Sequence, residues 1–130
     1  MVLYDSSLLI DYLDGDDAAV EYVKEHSGGA AVTVPLVMFE VYQGEVFKPG
    51  ESDFDGLESA LSWVKIIEEK ASYAREAAEL QEKMKDAGKP LSARDIYVAG
   101  AASAANEKLV ATDSDFGVPM LRGAISVEIV

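Results

Sequence analysis

The chain of 130 residues has no cysteine, one histidine, one tryptophan and four prolines. Without cysteine there can be no disulfide, no thiolate-bound zinc and no cysteine nucleophile. The lone His26 stands beside Ser27 and the Gly28-Gly29 pair, where it reads as a helix-end residue. No histidine–serine or histidine–aspartate arrangement points to nucleophilic catalysis. Long apolar runs are also missing: none approaches the ~20 residues of a membrane span. The opening Met1-Val-Leu-Tyr-Asp5 has neither the basic region nor the apolar run of a secretory signal, so a cytoplasmic location is expected. Positive charge is scarce, with 11 Lys+Arg against 24 Asp+Glu and a formal net charge of -13.

What is present suits a folded domain. Hydrophobic residues make up 49% of the chain and charged residues 27%, a balance typical of a globular protein. The expectation is a single domain over residues 1–130, large enough to bury a core without staples. Its acidity has two readings. A strongly negative surface repels nucleic acid and anionic membranes at ordinary salt. Alternatively, acids spread along the whole chain fit a halophilic surface, in a medium where charge is screened within ~3 Å at 1 M salt.

Short apolar runs alternate with helical patterns. Val2-Leu-Tyr4, Ala30-Ala-Val-Thr-Val34, Val64-Lys-Ile-Ile67 and Leu109-Val-Ala-Thr112 read as buried strands, and Ile125-Ser-Val-Glu-Ile-Val130 as an edge strand. Ser6 or Ser7 is placed to cap a helix over Leu8 to Leu13, and Asp16 or Asp17 to start one through about Glu25, with Gly28-Gly29 ending it. Pro35 opens a third helix. Further helices are expected over Glu51 to Leu61, Glu68 to Met84 and, capped by Ser92, Ala93 to Asn106. The last is rich in alanine with Gly100 inside, which implies close packing against a sheet. Strand–helix alternation gives an α/β class: a three-layer α/β/α domain with a mainly parallel sheet of about five strands. Residues Phe47 to Asp53 are the expected flexible loop.

In open parallel sheets, ligands bind beyond the carboxyl ends of the strands. Asp5 follows the first strand, Glu40 lies in the helix after the second, Asp95 in the first turn of the alanine-rich helix, and Asp113 and Asp115 follow the fourth strand. Carboxylates gathered at one edge repel unless a cation neutralises them. An all-oxygen set with no cysteine or nearby histidine suits Mg²⁺ or Mn²⁺ better than Zn²⁺, and such ions commonly serve phosphoryl chemistry. Each acid also has a plain structural use. Asp113 or Asp115 can cap a turn, and Asp95 can offset a helix dipole. Glu40 and Asp5 are harder to dismiss, because both stand inside apolar stretches. Arg94, Lys89, Lys108 and Arg122 are the cations expected nearest such a site, where they could steer a phosphate backbone. Trp63, Phe54, Leu57 and Leu61, and the tyrosines at 4, 12, 22 and 42, read as core or interface.

Four segments resemble the PIN-domain ribonucleases, specifically the VapC-type toxins of type II toxin–antitoxin pairs. They are Val2-Leu-Tyr-Asp-Ser-Ser-Leu-Leu-Ile-Asp-Tyr-Leu13, Val34-Pro-Leu-Val-Met-Phe-Glu-Val-Tyr-Gln-Gly44, Leu91-Ser-Ala-Arg-Asp-Ile-Tyr-Val-Ala-Gly-Ala-Ala102 and Leu109-Val-Ala-Thr-Asp-Ser-Asp-Phe116. The resemblance covers essentially the whole chain in order. It departs from the family pattern at Ala111, where threonine is usual, and at Gly100, where alanine is usual.

The resemblance implies that Asp5, Glu40, Asp95 and Asp113 form a catalytic quartet holding Mg²⁺ or Mn²⁺, with Asp115 as an outer member and Ser6 or Thr112 supporting. It implies metal-assisted hydrolysis of RNA that leaves a 5′-phosphate and a 3′-hydroxyl, a homodimer, and a VapB-like antitoxin. A free-standing PIN processing nuclease and a non-catalytic PIN-fold binding module stay open beside it. An aspartyl phosphatase fits less well, since Ser7 stands where its second aspartate belongs. A phospho-acceptor receiver fits poorly at Val64 to Glu68.

Overall fold

In the computed structural model, which describes residues 1–130, five strands form one sheet: β1 (Val2–Tyr4), β2 (Ala31–Thr33), β3 (Lys65–Ile66), β4 (Lys108–Ala111) and β5 (Val127–Ile129). Their order is β3-β2-β1-β4-β5, and every pairing is parallel. β1 sits in the middle, with Leu3 opposite Val32 on one side and Leu109 on the other. The expected five-stranded α/β sheet is therefore present, and wholly parallel.

Between the strands run α1 (Ser6–Leu13), α2 (Asp17–Glu25), α3 (Pro35–Val46), α4 (Phe54–Ala60), α5 (Ala71–Asp86), α6 (Ala93–Ala104) and α7 (Pro119–Ala124). Parallel crossovers are right-handed. The chain steps from β1 out to β3 and then, on the other side of β1, from β4 to β5. The two sets of helices thus fall on opposite faces. Accordingly α1 packs on α2 and α3, and α3 on α4, while α5 packs on α6 and α7. The core is continuous through the sheet, with Leu3, Leu8, Leu9, Val34, Val37, Val98, Leu109, Val110 and Phe116 fully buried.

The structure corrects several expectations. Val64 to Ile67 was expected as a buried strand, but β3 is two exposed residues at the sheet margin. Lys65 on that edge discourages pairing with another sheet. Neither Ser6 nor Ser7 caps α1. Asp5 does, because its carboxylate is the stronger acceptor at the positive end of a helix. The short turn Ser114–Gly117 and α7 carry no long apolar period and had no counterpart in the sequence reading. Residues 47–53 are irregular and exposed. The small face of α6 lies against a helix as well as the sheet: a Cβ on Gly100 would come within 2.5 Å of Ala77 Cα on α5. Only glycine permits that approach, which explains the departure from alanine.

Candidate metal centre

β1 is flanked by β2 and β4, so the direction in which the chain winds reverses between β1 and β4. Such a reversal opens a crevice at the carboxyl ends of the strands. Asp5 leaves β1 there and Asp113 leaves β4. The two ends are clipped together by Ser7. Its N–H and its hydroxyl both donate to Asp5 Oδ2, at 3.1 and 2.7 Å, while its oxygen accepts from the backbone N–H groups of Thr112 and Asp113, at 3.1 and 3.3 Å. Asp5 is 1% exposed, a cost tolerable only for a carboxylate so fully bonded.

Glu40 reaches the crevice from the second turn of α3, which Pro35 starts directly after β2. Asp95 comes from the first turn of α6, whose cap Ser92 accepts from the Asp95 N–H at 3.1 Å. Three of the acids converge on one guanidinium. Arg94 Nε donates to both Glu40 oxygens, at 2.9 and 2.8 Å, and Nη1 donates to Asp95 Oδ1 at 2.8 Å. Its Nη2 donates to Asp5 Oδ1 at 2.6 Å, to the Ser6 hydroxyl at 2.7 Å and to Glu40 Oε1. Burial alone works to lower the arginine pKa. It is outweighed by the Glu40 hydrogen bonds, the Asp5 charge and the bonds to Asp95 and Asp5, so the net shift is upward.

Asp95 also belongs to a second grouping. Carboxylate oxygens of Asp95, Asp113 and Asp115 all lie within 4.8 Å of one another. Asp113 accepts from the Asp115 N–H at 2.8 Å and so caps the turn that follows. The capping role and the clustered placement are therefore compatible. Five carboxylates gather here, three of them on one arginine, and every potential metal ligand is an oxygen. That donor set fits a hard divalent ion such as Mg²⁺ or Mn²⁺.

All five acids named from the sequence thus lie along one edge, and Ser6 lies with them. The Thr112 hydroxyl has no hydrogen bond; only its backbone N–H joins the network. Lys108 was expected near the acids but begins β4 at the opposite end of the sheet, where it pairs with Glu128 at 2.6 Å. In a parallel sheet, a residue at a strand's start cannot serve a site at its end. Lys89 and Arg122 are exposed and form no ion pair. Two features had escaped the sequence reading: Ser7 as the clip and Arg94 as a counterion to the acids. The second left a signal, because a cation in the first turn opposes the helix dipole unless anions across the gap hold it.

The PIN domain profile matches residues 2–118. The chain belongs to the PIN domain family. Its fold is shared with solved structures of low identity. A chain of VapBC2 from Rickettsia felis bound to a DNA fragment from their promoter superposes with a TM-score of 0.78 at 18% identity, covering 99% of this chain and 98% of that one. A chain of FitAcB from Neisseria gonorrhoeae gives 0.81 at 18%, covering 98% and 96%. DNA-bound VapBC from Salmonella typhimurium gives 0.79 at 15%, covering 99% and 98%. No curated protein matches the sequence. Across this PIN domain no helix is long and apolar enough to cross a membrane.

Proposed function

We propose that this PIN domain is a metal-dependent endoribonuclease of the VapC toxin kind, acting in the cytoplasm and held in check by a VapB-like antitoxin. The observation that carries this is the meeting of Asp5, Glu40, Asp95, Asp113 and Asp115 at the crevice between β1 and β4. Asp5, Glu40, Asp95 and Asp113 would hold Mg²⁺ or Mn²⁺, with Asp115 at the outer side. When bound, the ion supplies activation of water and neutralises charge on the scissile phosphate.

The chain's own residues prepare that chemistry. Ser7 fixes Asp5 against the start of the Thr112-Asp113 segment, so acids from β1 and β4 keep their spacing. Glu40 and Asp95 stand on helices, which hold donor positions better than loops do. Lys89 and Arg94 are the candidate contacts to RNA phosphates. Arg94 is engaged by carboxylates and reaches a phosphate only when those acids are neutralised in another way.

The partner assignment has its own support. Two of the structures named above, whose chains share this fold, contain bound DNA, and a toxin–antitoxin complex from Klebsiella pneumoniae has a chain of the same fold. On this chain, α3 and the residues just after it leave Phe39 and Phe47 59% and 79% exposed. Ile10, Leu13, Val41 and Leu57 also line a groove of about 220 Å³ with Asp14, Glu45 and Lys48, the last paired with Asp14 at 3.2 Å. Apolar surface of this kind suits a homodimer contact or an amphipathic antitoxin segment. Light scattering on a sizing column should return a dimer.

One observation favours the non-catalytic alternative: a cluster whose charge Arg94 already offsets in part has less need of an ion to be stable. Cleavage decides between the two. Purified protein in Mg²⁺ or Mn²⁺ at molar KCl should cut RNA, and Asp5→Asn should lower the rate at least about a hundredfold, as expected when several kcal/mol of metal-derived stabilisation is lost. RNA left intact by the wild-type protein under all these conditions would overturn the nuclease reading.

A further inference from the structure

The Arg94 guanidinium is a rigid fork of N–H donors, and each of its nitrogens is committed to this crevice. The oxygens it takes are those a metal ion would need. Asp5 Oδ2 already accepts two hydrogen bonds from Ser7, which leaves Oδ1, the oxygen Arg94 holds at 2.6 Å. Both Glu40 oxygens are likewise engaged. Divalent ions of this class bind oxygen at ~2.0–2.1 Å. The place faced jointly by Asp5 Oδ1 and Glu40 Oε1 is where Nη2 sits.

Exposure distinguishes the arginine from two of the three acids it binds; Glu40, at 27%, is as open as the arginine. The Arg94 side chain is 25% exposed, against 1% for Asp5 and 12% for Asp95. It therefore has a way out to solvent, while those two carboxylates are fixed in the protein. Asp95 couples the two halves of the site, since one carboxylate serves both Arg94 and the grouping with Asp113 and Asp115.

We infer that Arg94 is a tethered counter-cation that competes with the divalent ion for Asp5, Glu40 and Asp95. It offsets part of the charge of these acids in the metal-free protein and must leave them before the ion binds. The inference rests on the metal-dependent reading above. It adds that this chain tunes its own metal affinity through one side chain: the acids are spared mutual repulsion while empty, and the ion binds more weakly than the bare carboxylates would hold it.

Two measurements test this. In isothermal titration with Mn²⁺, Arg94→Gln should bind the ion about tenfold tighter than wild type, within the span of ordinary coupling between ligands. Arg94→Lys, which keeps the charge without the fork, should fall between them. In ¹⁵N-labelled wild-type protein, the Arg94 Nε–H resonance should be protected from exchange in chelator and lose that protection on titration with Mg²⁺. This readout needs no variant to fold. Equal Mn²⁺ affinity in wild type and Arg94→Gln, or an Nε–H signal unmoved while Mg²⁺ saturates the site, overturns the competition and leaves the metal site standing. No Mn²⁺ binding by any of these proteins removes the metal site itself, and the competition with it.

Discussion

Buried polar groups divide sharply by whether they have partners. Asp5 is almost fully buried yet has donors on both carboxylate oxygens. Glu107, at the start of the segment leading into β4, is also buried, and its Oε2 has no partner. A buried acceptor without a donor costs ~1–3 kcal/mol, so Glu107→Met should leave the melting temperature unchanged or raise it. A clear fall in a thermal melt would show that Glu107 carries a bond to solvent or a ligand. Tyr4 and Tyr22 meet edge to face, 6.3 Å apart. Burial first, then neighbouring charge at Tyr4 and the Glu128 hydrogen bond at Tyr22, pushes each phenol from 10.0 up to about 12. The folded state thus holds these protons more tightly than the unfolded chain. The resulting stability is complete below pH 10.0 and is lost as pH rises through about 12. Alkaline unfolding, followed by phenolate absorbance and circular dichroism together, should fall in that window, and Tyr22→Phe should make it shallower.

At the scale of elements, α6 does two jobs with one sequence. Its first turn carries Arg94 and Asp95 to the crevice, and its middle lies against α5 through Gly100. A methyl group added at Gly100 would stand 2.5 to 2.6 Å from the Ala77 backbone and Cβ, so the helices must separate to admit it. Gly100→Ala should therefore destabilise by ~1–3 kcal/mol, the usual cost of overpacking, despite the better helix propensity of alanine. Chemical denaturation checks this. An increase in stability would mean that α5 is free to move. The existence of α6 was legible from Ser92 and the alanine-rich run. Its close approach to α5 was not, because small residues announce a near neighbour without saying which one. α7 left still less trace: it has six residues and little apolar periodicity, and its place follows from packing on α5.

Across the whole molecule the net charge of -13 is far more than the site accounts for. Its five acids are partly offset by Arg94, while the remaining acids are spread along the chain. We propose that the surface is adapted to concentrated salt, where repulsion between RNA and protein is cut off within ~3 Å at 1 M rather than ~10 Å at 0.1 M. Both melting temperature and RNA cleavage should then rise from low to molar KCl at fixed Mg²⁺. Greatest stability at the lowest salt would refute the adaptation. The same excess of negative charge favours a basic antitoxin segment over an acidic one at the crevice.

The sequence by itself determined the alternation of strands and helices, and with it the α/β class, because each apolar run and cap is a local pattern. It also placed Asp5, Glu40, Asp95 and Asp113 just beyond strands or in the turns of the helices beside them, a position that one-dimensional order conveys. Only the tertiary structure decided what these acids touch. Arg94 meets Glu40 and Asp5 across 54 and 89 residues of chain, and Ser7 meets Asp113 across 106. Those contacts depend on strand order and on which face each helix covers. Neither is written in the periodicity of any single segment, since periodicity fixes the direction a side chain faces and not the partner it finds there.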